Sequence, residues 1–262
     1  MGKRETVAIP LAVQLHQRLR RAIIEGHYPQ GSVLHETRLA ADLEVSRVPV
    51  REALPLLAHE GFIEVTPRRS AVVATWTEQR INNVFDTRLG LETAAAAGAA
   101  RRVAAGAEPF DLEAAVARAE AQLEADDDEF VQAEANCAIH LALVAAAGNE
   151  LMDSVMRVVG GRMTWLFYLT ANRDLHRQSE DHAAILDAVR AGNDRLAESL
   201  TFSHIEAGRA PTLAKLRNAF TSVPGSVPGS VPGHDVSDTV RSTALTSQDL
   251  ATGARSALSN DL

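Results

Sequence analysis

The stretch LAADLEVSRVPVREALPLLAHEGFIEV, residues 39–65, admits few folds. Leu39, Ala40 and Leu43 form the apolar side of a short helix, and LEV is a tight turn. Ser46 stands where a helix wants its N-cap, so its hydroxyl is expected to accept an orphan N–H of the next helix. Pro49 falls in the first turn of that helix, where a missing N–H costs little. Val50, Leu54 and Leu57 recur at helical spacing and pack inward, and Gly61 stops the helix. Arg47 and Arg51 are four apart, so they share one face near its N-terminus. FIEV and AVVA follow as two short strands flanking the basic turn TPRRS. Upstream, Pro10 opens an amphipathic helix with Leu11, Leu15, Leu19, Ile23 and Ile24 on one side, and Gly26 ends it. YPQGSVL reads as a turn and a short extended piece, and a second helix is expected from Glu36 to Leu43. Helix, helix, turn, helix and a two-stranded wing, in that order, make a winged helix-turn-helix. In that motif the N-terminal end of the third helix enters the major groove, where Arg reaches a guanine edge or a phosphate.

Charge supports a division of labour. The chain of 262 residues carries a net −8, which alone argues against a polyanionic partner. The distribution reverses that inference. Residues 1–77 hold 10 Lys/Arg against 8 Asp/Glu, whereas residues 78–212 hold 12 against 22. Only the first part approaches nucleic acid without strong repulsion. One Cys, Cys137, excludes an internal disulfide and fits a reducing, cytoplasmic setting. No uncharged apolar stretch approaches the ~18 residues a membrane span needs.

From Thr77 to about Pro211 the patterns are helical only, with few aromatics and much Ala. Helices are expected near 81–106, 109–124, 126–148, 150–171, 178–191 and 194–208, giving an all-α antiparallel bundle of six or seven helices. DDDEF places acids at a helix start, where the dipole favours them. Gly148-Asn149 is a stop signal. Asn136 and His140 are one turn apart on a face shared with Ala133, Leu143, Val144 and Ala147. His182 lies in line with Ile185, Leu186 and Val189, and His204 also points inward. Unpaired imidazoles are costly to bury, and one shared divalent metal would satisfy the whole set. A hydrogen-bonded polar pocket without metal is the alternative.

The residues of the first domain resemble the DNA-binding domain of GntR-family transcription regulators. Leu39, Ala40, Leu43, Val45, Ser46, Arg47, Pro49, Val50, Arg51, Glu52, Ala53, Leu54, Leu57, Glu60 and Gly61 stand at that family's spacing. The resemblance implies DNA contacts from Arg38, Ser46, Arg47, Val48 and Arg51, and from the wing pair Arg68 and Arg69. The second domain resembles the FCD-type effector domain of the FadR subfamily. VFDTRLGLETAAAAGAA matches its first helix, with Arg88 and Glu92 in place. NCAIH and EDHAAILDAVRAGNDRLAESLTFSH match its metal motifs, with His182 and His204 22 residues apart. The resemblance implies a homodimer on a double-stranded DNA operator, probed by a small carboxylate effector. It also implies a divalent ion (zinc, nickel or manganese) on Asn136, His140, His182 and His204, with Arg88, Arg162 and Asn172 as effector contacts.

The chain departs from the family at several positions. Thr37 stands where an Arg is usual, Ser70 where the wing has Gly, and Pro55 inside the third helix, where a kink is expected. Asn136 replaces the usual Asp ligand, Ile139 a Phe, Asp181 a Glu and Asn193 an Asp. Asn ligates through its amide oxygen but brings no charge, so the ion should be held less tightly.

The domains expected are therefore 8–76, a winged helix-turn-helix; 77–211, a helical effector and dimerisation domain; and 212–262, a disordered tail. The tail contains SVPGSVPGSVPG, in which Pro at every fourth residue blocks helix. The function expected is a DNA-binding transcriptional repressor. A regulator for which the ion is itself the signal is one alternative. A metallohydrolase is another, but the sequence has no HExxH motif and no clear general base beside the site.

Overall fold

The computed structural model describes residues 9–66, 70–125, 128–171 and 175–221. The order is α1 (Leu11–Ile24), β1 (Val33–Leu34), α2 (Glu36–Asp42), α3 (Arg47–Glu60), β2 (Ile63–Glu64) and β3 (Ala71–Val73), then six helices. These are α4 (Glu78–Ala104), α5 (Phe110–Glu124), α6 (Glu129–Ala146), α7 (Glu150–Leu169), α8 (Leu175–Arg190) and α9 (Asp194–Thr221). The winged helix-turn-helix and the helical bundle are both present. Among the described residues no helix is long and apolar enough to cross a membrane.

The wing corrects the sequence reading by one strand. It is a three-stranded antiparallel sheet in the order β1-β3-β2. Val33 and Leu34 pair with Val72 and Ala71, while Ile63 and Glu64 pair with Val73 and Val72. A two-residue strand is too short to show alternation, so "VL" reads only as an extended piece until its partner is known. Arg68 and Arg69, expected from sequence in the wing turn, lie outside the described residues.

One further expectation changes at helix α3. Ser46 has the extended backbone of an N-cap, yet its side chain makes no capping bond. The residue three places on, whose N–H such a hydroxyl usually accepts, is Pro49, which has none. Pro55 does not end the helix, which runs unbroken from Arg47 to Glu60. Pro55 is exposed, so water can reach the carbonyl that loses its helical bond.

The last helix is longer than its sequence suggested. It runs through Pro211 to Thr221, so the first ten residues assigned to a tail are helical. Thr212 and Leu216, four apart, are buried and continue its inward face. Arg217 pairs with Glu78 at 2.6 Å, tying that last stretch to the start of α4. The SVPG repeats lie outside the described residues.

Bundle caps follow the local chemistry. The Thr77 hydroxyl accepts from the Arg80 N–H, Asp128 from that of Phe130, and Asn149 from those of Leu151 and Met152. Gly148 takes φ +67, a left-handed value that suits the stop between α6 and α7.

The two domains share one core. Phe62, just after α3, stacks on Trp165 of α7 with ring centroids 5.3 Å apart, and Trp76 meets Trp165 edge-on at 5.5 Å. Arg20 and Arg21 of α1 pair with Glu134 and Asp128 beside α6. Close approach depends on Gly161 of α7, where a Cβ would stand 2.7 Å from the Phe62 ring. Gly161→Val should therefore lower stability by about 1–3 kcal/mol through overpacking. Thermal melting checks this, and an unchanged melting temperature would mean that the domains do not pack through this contact.

Candidate DNA-binding face and histidine pocket

The exposed face of α3 is built by its own amphipathic pattern. Val50, Ala53, Leu54 and Leu57 are buried, which turns Arg47, Val48 and Arg51 to solvent. Val48 is 63% exposed, unusual for an apolar side chain and suited to meeting a thymine methyl. Glu36 sits between the two arginines, 3.1 Å from Arg51 and 3.5 Å from Arg47. Its carboxyl is held below the usual range, chiefly by the Arg51 hydrogen bond. Arg38 is exposed and 3.8 Å from Asp42. Glu36, Arg47 and Arg51 border a groove of about 590 Å³ that runs between α3 and the sheet, past Ser70. The Ser70 hydroxyl lies 3.2 Å from His35 Nδ1. The side chain where the family has Gly thus meets its own domain.

In the bundle, α6, α8 and α9 bring His140, His182 and His204 together. One ring nitrogen from each lies within 4.8 Å of the others. His182 Nε2 and His204 Nε2 are 3.1 Å apart. Two nitrogens on one ion with bonds of about 2.0–2.2 Å would be separated by about 2.8–3.1 Å at octahedral and about 3.3–3.6 Å at tetrahedral angles. The Oδ1 of Asn136, one turn before His140, is buried without a hydrogen-bond partner. An orphaned amide oxygen beside three converging imidazoles fits a divalent cation, because the oxygen accepts and can ligate but cannot be left dry cheaply. Burial lowers the His140 pKa, with Arg88 adding to it and Glu92 opposing. Burial, followed by the neighbouring His204 and His140, pushes that of His182 well down. Both rings are therefore neutral near pH 7, the ligating form.

Behind two of the rings stand carboxylates. Glu92, fully buried on α4, lies 2.7 Å from His140 Nδ1 and 2.7 Å from Arg88 Nε. Burial acts to raise the Glu92 carboxyl, but Arg88 and His140 outweigh it and bring it to about 2. Asp181 Oδ2 is 3.3 Å from His204 Nδ1. A carboxylate on the far nitrogen fixes the ring and its tautomer, an arrangement common behind metal-bound histidines. Sequence reading placed Glu92 beside Arg88 and Asp181 beside His182 but gave neither carboxylate a role behind the histidines. The signal was present in Arg88 and Glu92, one turn apart on a helix that is otherwise Ala-rich.

Of the effector contacts expected from sequence, the two within the described residues lie apart. Arg88 is buried with its charge directed at Glu92. Arg162 lies elsewhere, in a cleft at the domain junction with Gly61, Trp76, Arg80 and Trp165. Asn172 lies outside the described residues. Small hollows beside Asn136 are lined instead by Gln132 and Gln178, with Ser179 and His182 or Phe167 and Thr170.

Two protein families match this chain. The family described as bacterial regulatory proteins of the gntR family matches residues 11–73, and the FCD domain matches residues 83–207. The transcriptional repressor assigned to a D-xylose utilization operon in Paenarthrobacter nicotinovorans is 30% identical over 200 residues, 75% of this chain and 86% of that protein. The gluconate operon transcriptional repressor of Bacillus licheniformis is 47% identical over 75 residues, only 29% of this chain and 30% of that repressor. Among solved structures, one described as a GntR transcriptional regulator from Rhodococcus sp. RHA1 superposes with a TM-score of 0.63 at 25% identity. That likeness covers 78% of this chain and 97% of the other.

Proposed function

The chain belongs to the GntR family of DNA-binding bacterial transcriptional regulators, and on that premise we propose that it is an effector-responsive repressor acting as a homodimer. Repression is the role named for the xylose- and gluconate-operon relatives. Two copies would set two α3 helices into successive major grooves. Arg47 and Arg51 reach base edges or phosphates, Val48 a thymine methyl, and Ser46 and Arg38 the backbone, with Arg68 and Arg69 at the wing. Glu36 holds the two arginines side by side before DNA arrives and must yield at least one of them on docking.

The signal is assigned to the histidine pocket. Asn136, His140, His182 and His204 would hold a zinc-, nickel- or manganese-type ion, whose open positions suit a small carboxylate. The orphaned Asn136 oxygen beside three imidazoles carries this reading. A second reading, in which the ion itself is the signal, draws support from Arg88. That arginine is paired with Glu92, so it offers an anion no unpaired charge. Titrating operator binding against metal alone, and against carboxylates at fixed metal, separates the two readings.

The DNA half has its own test. Arg51→Ala should weaken specific operator binding by about 1–3 kcal/mol, roughly 5- to 150-fold, with the melting temperature unchanged. Electrophoretic shift or anisotropy at fixed salt measures it. Parental affinity in the variant would remove α3 from the interface.

A further inference from the structure

The cleft that holds Arg162 is larger than either hollow beside Asn136. It measures about 440 Å³ and opens between the DNA-binding domain and the bundle. Its walls come from both: Ala58 and Gly61 at the end of α3, Ile63 and Glu64 of β2, Arg80, Asn83 and Thr87 of α4, and Val159, Arg162 and Trp165 of α7. A volume near 440 Å³ is that of a small-molecule site.

Three observations bear on what it would hold. First, Arg162 is half-buried yet makes no ion pair or hydrogen bond with the described residues. Its guanidinium lies against Gly61, where an added Cβ would stand 1.9 Å from Nη2. No carboxylate oxygen among the described residues lies within 4.0 Å of it, though the Glu60 charge acts on it favourably and that of Arg80 unfavourably. Arg80 is committed to Glu64 and to the Thr75 carbonyl. Glu60, the other carboxylate nearby, has one oxygen 3.1 Å from His16 and the other buried with no hydrogen-bond partner. Second, Trp76 lines the cleft, is only 6% exposed, and its indole N–H is buried with no acceptor. An indole N–H without an acceptor and a guanidinium without a close ion pair, both in the lining of one cleft, suit an acceptor that carries negative charge. Third, part of the wall is aromatic and aliphatic, with Trp76 edge-on to Trp165 and with Ile63, Val84 and Val159, while Asn83, Thr87 and the Arg80–Glu64 pair make the rest polar.

We propose that this junction cleft is a second ligand site, separate from the histidine pocket, that binds a small aromatic carboxylate through the Arg162 guanidinium and the Trp76 indole N–H. An occupant would touch the end of the recognition helix and the bundle helices α4 and α7 at once. It would also satisfy both unmatched donors. The proposal does not depend on metal in the histidine pocket.

The chain supplies its own probe, because both of its tryptophans, Trp76 and Trp165, line this cleft. The experiment titrates the full-length protein with sodium benzoate and reads tryptophan fluorescence. Benzamide, of the same shape but uncharged, serves as control. Benzoate should give a saturable change and benzamide should bind at least tenfold more weakly. Arg162→Gln should weaken benzoate by about tenfold or more, Arg162→Lys should retain most of the affinity, and His204→Ala should leave it at the parental value. No saturable change with benzoate would overturn the site. So would equal binding of benzamide, parental affinity in Arg162→Gln, or loss of binding in His204→Ala. Benzamide tests the charge requirement even if Arg162→Gln proves unstable. The failure of this proposal and that of the histidine pocket are thus read from different variants.

Discussion

Glu92→Gln should destabilise the bundle by about 3–5 kcal/mol, the cost of stripping one partner from a buried ion pair. Both members are deep inside, with side-chain exposures of 4% for Arg88 and 0% for Glu92. The amide keeps the volume of the carboxylate but not its charge, so the Arg88 guanidinium is left uncompensated where water cannot reach it. His140 loses the anion on its Nδ1 at the same time. A loss of this size is a large share of the ~5–15 kcal/mol that holds a typical domain folded. An exposed pair gives the contrast: Asp153→Asn, opposite Arg157 at 2.6 Å, should cost under about 1 kcal/mol. Replacing Arg88 and Glu92 together with Met and Leu should recover most of the loss, since a hydrophobic substitute removes both desolvation terms. Urea unfolding of the three variants measures this. A loss below about 1 kcal/mol for Glu92→Gln would mean that the Arg88 charge has another partner.

The sequence made some parts of this molecule legible and hid others, for definable reasons. Helix α3 could be read closely because its signals are local: Ser46 and Pro49 at the start, Gly61 at the end, and apolar residues at helical spacing between. Even there, the capping bond failed because two local signals compete, the Pro49 ring removing the N–H that the Ser46 hydroxyl would take. Strand β1 stayed hidden because its two residues acquire meaning only from Val72 and Ala71, far along the chain. The end of α9 was missed because Pro211 and the polar residues after it outweighed Thr212 and Leu216, whose burial depends on α4. The three histidines were found as inward positions on their own helices. Their carboxylate partners were not, because a buried Glu looks like a surface Glu until a neighbouring helix is packed against it. The junction cleft was not visible at all. It belongs to residues from α3, β2, α4 and α7, which no spacing rule connects.

Metal content is where the histidine pocket will stand or fall. Protein purified without chelators or a metal-affinity tag should carry close to one equivalent of a divalent transition metal per chain. His204→Ala removes one of three nitrogens and leaves His182 without its 3.1 Å neighbour. Its metal affinity should fall by more than the ~10–100-fold that loss of a supporting residue produces. The fold should survive, because His204 sits at the rim with 9% of its side chain exposed. Asn136→Asp works in the opposite direction. It places an anion where the orphaned amide oxygen now sits, and ligand charge is a main determinant of cation affinity. Affinity should rise by on the order of tenfold. Without an ion, the same variant should be destabilised, because the new carboxylate would be buried without a partner. The pair of variants therefore separates a metal site from a hydrogen-bonded polar pocket. A metal site predicts that added zinc raises the melting temperature of Asn136→Asp more than that of the parent, since ligand binding to the native state is stabilising. A polar pocket predicts that both melt alike with and without zinc. Elemental analysis showing less than about a tenth of an equivalent in the parent, with no uptake on titration, would remove the ion from the proposed function.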